Sequence, residues 1–372
     1  MYNIRDYVNR GLLFANNTVF PRRKKLSTLM FYSTNLCNSR CKHCFVWAQR
    51  PTVHMSRAKI VEIMNSKCVS KHTTIGLEGG EFLLHPEANE IMKWFSEHHK
   101  NFDLLSNCLQ PRKVIEAVKN HAPKRLYLSL DGRRETYLQM RGADGFDKVI
   151  QVVEACKDRV PVSLMFTLSP YNSFDDLNFV VEIAKKQGID IRIGIYNNID
   201  FFDTADAAHV IQTDSAMEPE RGADDKSPEN GRFTSFVQDI PDNVKETSEN
   251  YDFLVLYNEW RTGKLKLNCY SIFDSLVIHP NGNVPLCQNL DMTIGNVYEK
   301  SLDEIYNGKA TVKLQKIQAR TCNRCWVNFH RKYDIVLLRS LEKFIPKPLI
   351  QLFYGKYQWT DNPRLTYLDL FR

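Results

Sequence analysis

STNLCNSRCKHCFVW, Ser33 to Trp47, places Cys37, Cys41 and Cys44 within eight residues, directly after the apolar run LSTLMFY, Leu26 to Tyr32. A short apolar run bounded by polar residues reads as a buried strand. Reactive side chains at its far end fit a parallel α/β sheet, where such groups gather where strands stop and loops begin. Working outward from this point, strand-like runs recur at Thr73 to Gly79, Phe102 to Ser106, Arg125 to Leu130, Pro161 to Leu168 and Asp190 to Tyr196. Amphipathic stretches such as SRAKIVEIMNSK, PEANEIMKWFSEHH and FDDLNFVVEIAKKQ separate them, the last stopped by Gly188. Alternating units of this kind build a parallel sheet covered by helices. Six units are too few to close an eight-fold barrel. The expected fold is therefore α/β, a partial (β/α)6 TIM-like barrel over residues 26 to 200, followed by a small cysteine-rich domain.

The remaining chain divides by composition. Residues 1 to 25 precede the first strand as an N-terminal extension. Residues 201 to 250 hold twelve acidic and four basic side chains and few long apolar ones, so they read as an acidic insertion or linker. Residues 251 to 335 form the second domain, with Asn281-Gly282 at the turn of a hairpin-like LVIHPNGNVPLC. Residues 336 to 372 are an apolar and basic tail. It could touch a membrane surface, but Pro346 and Pro348 break any long helix, which favours docking on the protein's own core.

With 372 residues and 43% hydrophobic content the chain can bury a sizeable core. Neither a signal-like segment nor an 18-residue apolar run is present, so a cytoplasmic location is expected. In a reducing compartment clustered cysteines point to metal ligation rather than disulfides, and seven of the ten cysteines are clustered or paired. The net charge of +7 becomes +15 once the acidic insertion is set aside. That basic body would suit an anionic partner. Without a contiguous basic and aromatic pattern, however, no stable nucleic-acid partner is expected.

Three thiolates fall one short of a structural zinc site, and His43, lying between two of them, is poorly placed to join them at one metal. A four-iron, four-sulfur cluster fits better, three irons taking cysteine and the fourth staying open. Cys269, Cys287, Cys322 and Cys325 supply four further thiols, suited either to zinc or to a second cluster.

C-x3-C-x2-C after a first strand resembles the signature of the radical S-adenosylmethionine (SAM) superfamily. The resemblance implies SAM as cofactor, chelated at the open iron of the [4Fe-4S] cluster and cleaved reductively to a 5′-deoxyadenosyl radical. Gly79-Gly80-Glu81 is similar to the family's GGE motif, which holds the SAM amino group. Asn107, and Ser129 with Asp131, resemble its ribose and carboxylate contacts, and Arg141 is placed like an arginine that contacts the SAM carboxylate. The second cysteine set resembles the appended SPASM domain in its shortened "twitch" form, implying one auxiliary [4Fe-4S] cluster. An electron donor such as flavodoxin or ferredoxin is implied as partner.

The fate of the substrate radical separates two outcomes, oxidation through the auxiliary cluster or epimerisation through a thiol donor. Cys108, following Asn107 where the family has glycine, is the candidate catalytic donor; alternatively it packs as a small hydrophobe, as expected for Cys156. His85, His279 and His330 offer acid or base groups without a distinguishing context. Twitch relatives act on sugars and aminocyclitols, SPASM relatives mostly on ribosomally made peptides. Only 25 residues precede the first strand, against the leader-binding domain many peptide modifiers carry, which favours a hydroxylated, sugar-like small molecule over a peptide.

Overall fold

The structure is a computed structural model that describes residues 4–169, 171–196, 251–261, 263–290, 292–323 and 325–358. The acidic stretch 201–250 and the tail end 359–372 lie outside the described residues.

Helix α1 (Ile4–Val19) precedes strand β1 (Thr28–Tyr32), and α2 (Arg57–Met64) follows it and leads into β2 (Thr74–Glu78). The alternation continues through α3 (Ala88–His98), β3 (Phe102–Ser106), α4 (Pro111–His121), β4 (Arg125–Ser129), α5 (Arg134–Arg141), α6 (Phe146–Cys156), β5 (Val162–Leu168), α7 (Phe174–Gln187) and β6 (Asp190–Ile195). These bounds fall within a residue or two of the apolar runs, because strands buried on both faces are apolar almost throughout. Helix α7 starts at a reciprocal Ser173/Asp176 capping box and ends at Gly188, whose φ of 66° is left-handed.

The sheet has seven strands, not six. Its order is β6-β5-β4-β3-β2-β1-β7, and the seventh strand, β7 (Ser275–Ile278), pairs in parallel with β1 from Thr28↔Ser275 to Phe31↔Ile278. The expected hairpin misplaced this strand. The chain does turn through Asn281-Gly282, with the His279 N–H donating to the Asn283 carbonyl at 2.9 Å. Yet β8 (Asn283–Pro285) takes its ladder from β9 (Thr293–Asn296), while SLVI, buried at all four positions, completes the half-barrel. The sheet thus crosses the expected boundary at residue 251.

The second half of the chain adds α8 (Tyr251–Arg261), α9 (Leu302–Asn307), α10 (Lys309–Thr321), α11 (Asn328–Phe344) and α12 (Lys347–Tyr354). Phe253 and Trp260 of α8 stack on the fully buried Trp326, so one apolar core runs through both halves. The tail divides at Pro346, where α11 has ended and α12 begins with a proline in its first turn. Ile350 and Tyr357 dock into the core, whereas Phe344, Leu352 and Phe353 stay exposed. No helix among the described residues is long and apolar enough to cross a membrane.

Candidate active site

All seven strands run the same way, so the loops after their C-terminal ends share one rim. The cysteine loop leaves β1 and is held from both sides. On one side the Gly80 N–H donates to the Thr34 carbonyl and the Glu81 N–H to the Leu36 carbonyl, each at 2.8 Å. On the other, the end of α5 accepts from the loop: Lys42 N–H to the Met140 carbonyl at 2.8 Å, Arg40 N–H to the Arg141 carbonyl at 3.0 Å, and Ser39 Oγ to that same carbonyl at 2.9 Å.

The glycine pair serves this clamp directly. A Cβ at Gly79, whose φ is 129°, would stand 2.4 Å from the Thr34 carbonyl oxygen, and one at Gly80 would stand 2.2 Å from that of Leu36. No side chain fits there.

Glu81 is buried and accepts from Ser106 Oγ at 2.9 Å and from the Asn107 N–H at 2.8 Å, joining the ends of β2 and β3. Burial pushes its carboxyl up to about 7, against the pull of those donors. Asn107 Nδ2 reaches Asn38 Oδ1 at 2.9 Å and lies 3.8 Å from Cys37 Sγ. Ser129 closes β4, nearly buried.

Arg141 and Asp131 form a buried ion pair at the ends of α5 and β4. Arg141 Nε donates to Asp131 Oδ2 at 2.5 Å, its Nη2 pairs with the same oxygen, and Asp131 Oδ1 accepts from the Thr167 N–H at 2.9 Å. Asp131 is fully buried and both its oxygens are engaged, so it fixes the position of Arg141. Burial opposes the Arg141 charge, but Asp131 and then Cys41 outweigh it and hold the guanidinium firmly protonated. Its Nη1 lies 3.8 Å from Cys41 Sγ.

Burial raises Cys37 to about 11 and Cys44 to about 12, and each thiol feels the negative charge of its neighbours. Three mutually coupled thiols beside a fixed cation, with no fourth ligand from the loop, fit an iron-sulfur cluster with one open position. Among the described residues no group of three or more His, Cys, Asp and Glu side chains is set for a single metal ion.

For Cys108 the sequence leaves two readings open, a hydrogen donor or a small packed hydrophobe. The residue has a left-handed φ of 61°, is 0% exposed and belongs to the apolar core, with its thiol 3.9 Å from the Ser106 carbonyl oxygen. As folded, the side chain is packed within the core. His85 is likewise occupied, its Nε2 lying 2.9 Å from the Met55 carbonyl, and burial lowers both His279 and His330 to about 3.

The second cysteine set assembles from three segments. Cys269 donates its N–H to the Ala319 carbonyl at 3.1 Å, and Cys322 caps the end of α10. Cys325 precedes Trp326, whose Nε1 donates to the Phe253 carbonyl at 2.8 Å. Burial and the other cysteines raise Cys287, while burial and then Asp334 raise Cys269 to about 12. Arg331, 1% exposed, supplies a buried positive charge beside Cys325 and Cys269. It donates to the Cys325 carbonyl at 3.0 Å and to Asp334 Oδ2 at 3.2 Å. His330 bridges Ser271 Oγ at 2.8 Å and Cys287 Sγ at 3.6 Å.

Ser39, Thr167, Ser271 and Arg331 are the supporting residues that sequence reasoning missed. Only Arg331, six residues after Cys325, carried a signal, as a cation close to a thiol pair.

Residues 31–190 match the family model of the radical SAM superfamily, and residues 269–326 match the SPASM iron-sulfur cluster-binding domain. The chain is 24% identical over 302 residues to the antilisterial bacteriocin subtilosin biosynthesis protein AlbA of Bacillus subtilis, covering 78% of this chain and 61% of that protein. It therefore spans less than two thirds of this relative's length. Among solved structures it resembles Streptococcus suis SuiB bound to precursor peptide SuiA, with 12% identity, a TM-score of 0.58 and 84% and 72% of the two chains covered. It also resembles anSMEcpe bound to AdoMet and the Cp18Cys peptide, with 18% identity, a TM-score of 0.53 and 83% and 89% covered. These domains together imply SAM, a radical SAM [4Fe-4S] cluster and auxiliary cluster binding. The chain therefore carries a radical SAM domain over residues 31–190 and a SPASM iron-sulfur cluster-binding domain over residues 269–326.

Proposed function

We propose that the protein is a radical SAM enzyme that modifies a peptide, and that Cys37, Cys41 and Cys44 hold the SAM-binding cluster. When bound, that cluster and SAM supply a 5′-deoxyadenosyl radical able to take hydrogen from an unactivated carbon. The chain's own residues prepare the place. Arg141, fixed by Asp131, presents a charge for the SAM carboxylate; Glu81 and Asn107 stand at the adjoining strand ends for its amino group and ribose, and Ser129 adds a hydroxyl at the end of β4. Gly79 and Gly80 keep the loop at its observed distance from β2. Cys269, Cys287, Cys322 and Cys325 hold one auxiliary cluster, because the SPASM match contains four cysteines and no others.

The peptide replaces the sugar-like substrate favoured by the short N-terminal extension. The observation that carries it is the match to AlbA, a bacteriocin biosynthesis protein, across 302 residues that exceed either domain alone. The fold shared with SuiB and anSMEcpe, both seen with peptides, supports it.

The test is anaerobic incubation of the reconstituted protein with SAM, a reductant, and either a peptide library or a panel of aminocyclitols. A peptide that stimulates 5′-deoxyadenosine formation and emerges lighter by a pair of hydrogens is the expected result. Stimulation by an aminocyclitol alone, with every peptide unchanged in mass, would restore the sugar reading.

A further inference from the structure

Helix α10 carries a basic stripe aimed at the second cysteine set. Lys309, Lys313, Lys316 and Arg320 are exposed, while Thr311, Gln315 and Ala319 on the other side are buried. At about 100° per residue the four cations fall within an arc of roughly 60°, along about 16 Å of helix. The helix contains no acidic residue, and no ion pair among the described residues involves these four side chains. One residue beyond the helix stands half-buried Cys322.

Cys322 also lines a cavity of about 970 Å³ whose lining includes Leu341, Ile345 and Phe353 together with Lys266 and Arg320. Phe353, 81% exposed, and Ile317, 46% exposed, flank the cations with apolar surface. A positive rim around a partly apolar patch is the complement of an acidic protein surface.

We propose that the face formed by α10 and the adjoining cavity docks a small acidic one-electron carrier protein, which exchanges electrons with the auxiliary cluster through the Cys322 corner. This rests on the reading of the four cysteines as a cluster site. In each encounter the reduced carrier loses one electron and the oxidised cluster gains it. A flavin carrier passes from its anionic hydroquinone to the neutral semiquinone, losing one electron and no proton. Opposite charges raise the encounter rate and salt screens it, because the stripe is exposed.

The test uses the reconstituted full chain and a reduced flavodoxin as probe, with cluster reduction followed by stopped-flow absorbance from low to high salt. The variant is Lys313→Glu/Lys316→Glu/Arg320→Glu. A control, Arg112→Glu/Lys113→Glu/Lys119→Glu, makes the same charge change on exposed positions of α4. The expected result is at least a tenfold slower second-order rate for the α10 variant at low salt, converging on the parent at high salt, with the α4 control near the parent. Reduction by dithionite should be unchanged in all three, which shows the clusters intact. Equal slowing by both variants, or a parent rate independent of salt, would overturn the docking face. So would a variant that loses peptide binding yet keeps its reduction rate, since the stripe would then hold an acidic peptide. Failure of dithionite to produce a reduced auxiliary cluster in the parent would instead sink the cluster reading itself.

Discussion

Asp131 and Arg141 form a buried pair in which each side chain leaves the other costly to expose. Removing one partner of such a pair costs about 3–5 kcal/mol. Arg141→Met is expected to lower stability by that amount in urea unfolding, and adding Asp131→Asn should recover part of it, since asparagine can still accept from Thr167. A single variant as stable as the parent would contradict the pairing. Glu81 gives a pH signature. Its folded value, raised to about 7, exceeds the usual carboxyl value near 4.3, so the neutral form is favoured on folding. That contribution is fully present below about 4.3 and is lost as pH rises through about 7. Cluster-free protein should therefore lose thermal stability between pH 5 and pH 8, and Glu81→Gln should flatten the loss. At Cys108 a glycine would relieve the left-handed backbone by about 1 kcal/mol and forfeit a similar amount of buried side chain. Cys108→Gly is expected to stay within about 1 kcal/mol of the parent and to keep full product formation. Loss of product with 5′-deoxyadenosine retained would make Cys108 the hydrogen donor after all. The sequence showed Cys108 at a glycine position, but only the backbone reveals the positive φ that explains why glycine suits it.

At the scale of elements, the cysteine loop owes its shape to backbone contacts with two neighbours rather than to its own residues. Gly80→Ala brings a methyl group within 2.2 Å of the Leu36 carbonyl oxygen and must displace the loop. Its expected effect is the loss of one cluster's iron with the other retained and the helical content unchanged, read by metal analysis and circular dichroism. Unaltered iron content would show that the clamp is dispensable. The three thiols and the GGE turn were legible because their spacing is local. Their bracing was not, since the carbonyls of Met140 and Arg141 approach from about 100 residues away and leave no mark in residue type. The same limit explains β7. Asn281-Gly282 is a sound turn signal, but only the edge of β1, almost 250 residues earlier, decides that SLVI pairs in parallel there.

Across the whole molecule, the seventh strand makes the two cysteine sets parts of one body: β7 leaves the half-barrel beside β1 and leads within ten residues to Cys287, while Cys269 lies just before it. The partial barrel was legible from periodic apolar runs, whereas the substrate was not, because the recognising surface is set by tertiary packing and not by the length of chain before the first strand. The central claim is that two cysteine sets carry separate clusters and that the first one cleaves SAM. Its most direct test is iron content and 5′-deoxyadenosine formation after anaerobic reconstitution and reduction, in the parent and in Cys37→Ala/Cys41→Ala/Cys44→Ala. About eight irons in the parent, about four in the variant, and 5′-deoxyadenosine from the parent alone are predicted. Equal iron in both proteins, or 5′-deoxyadenosine from the variant, would contradict the account.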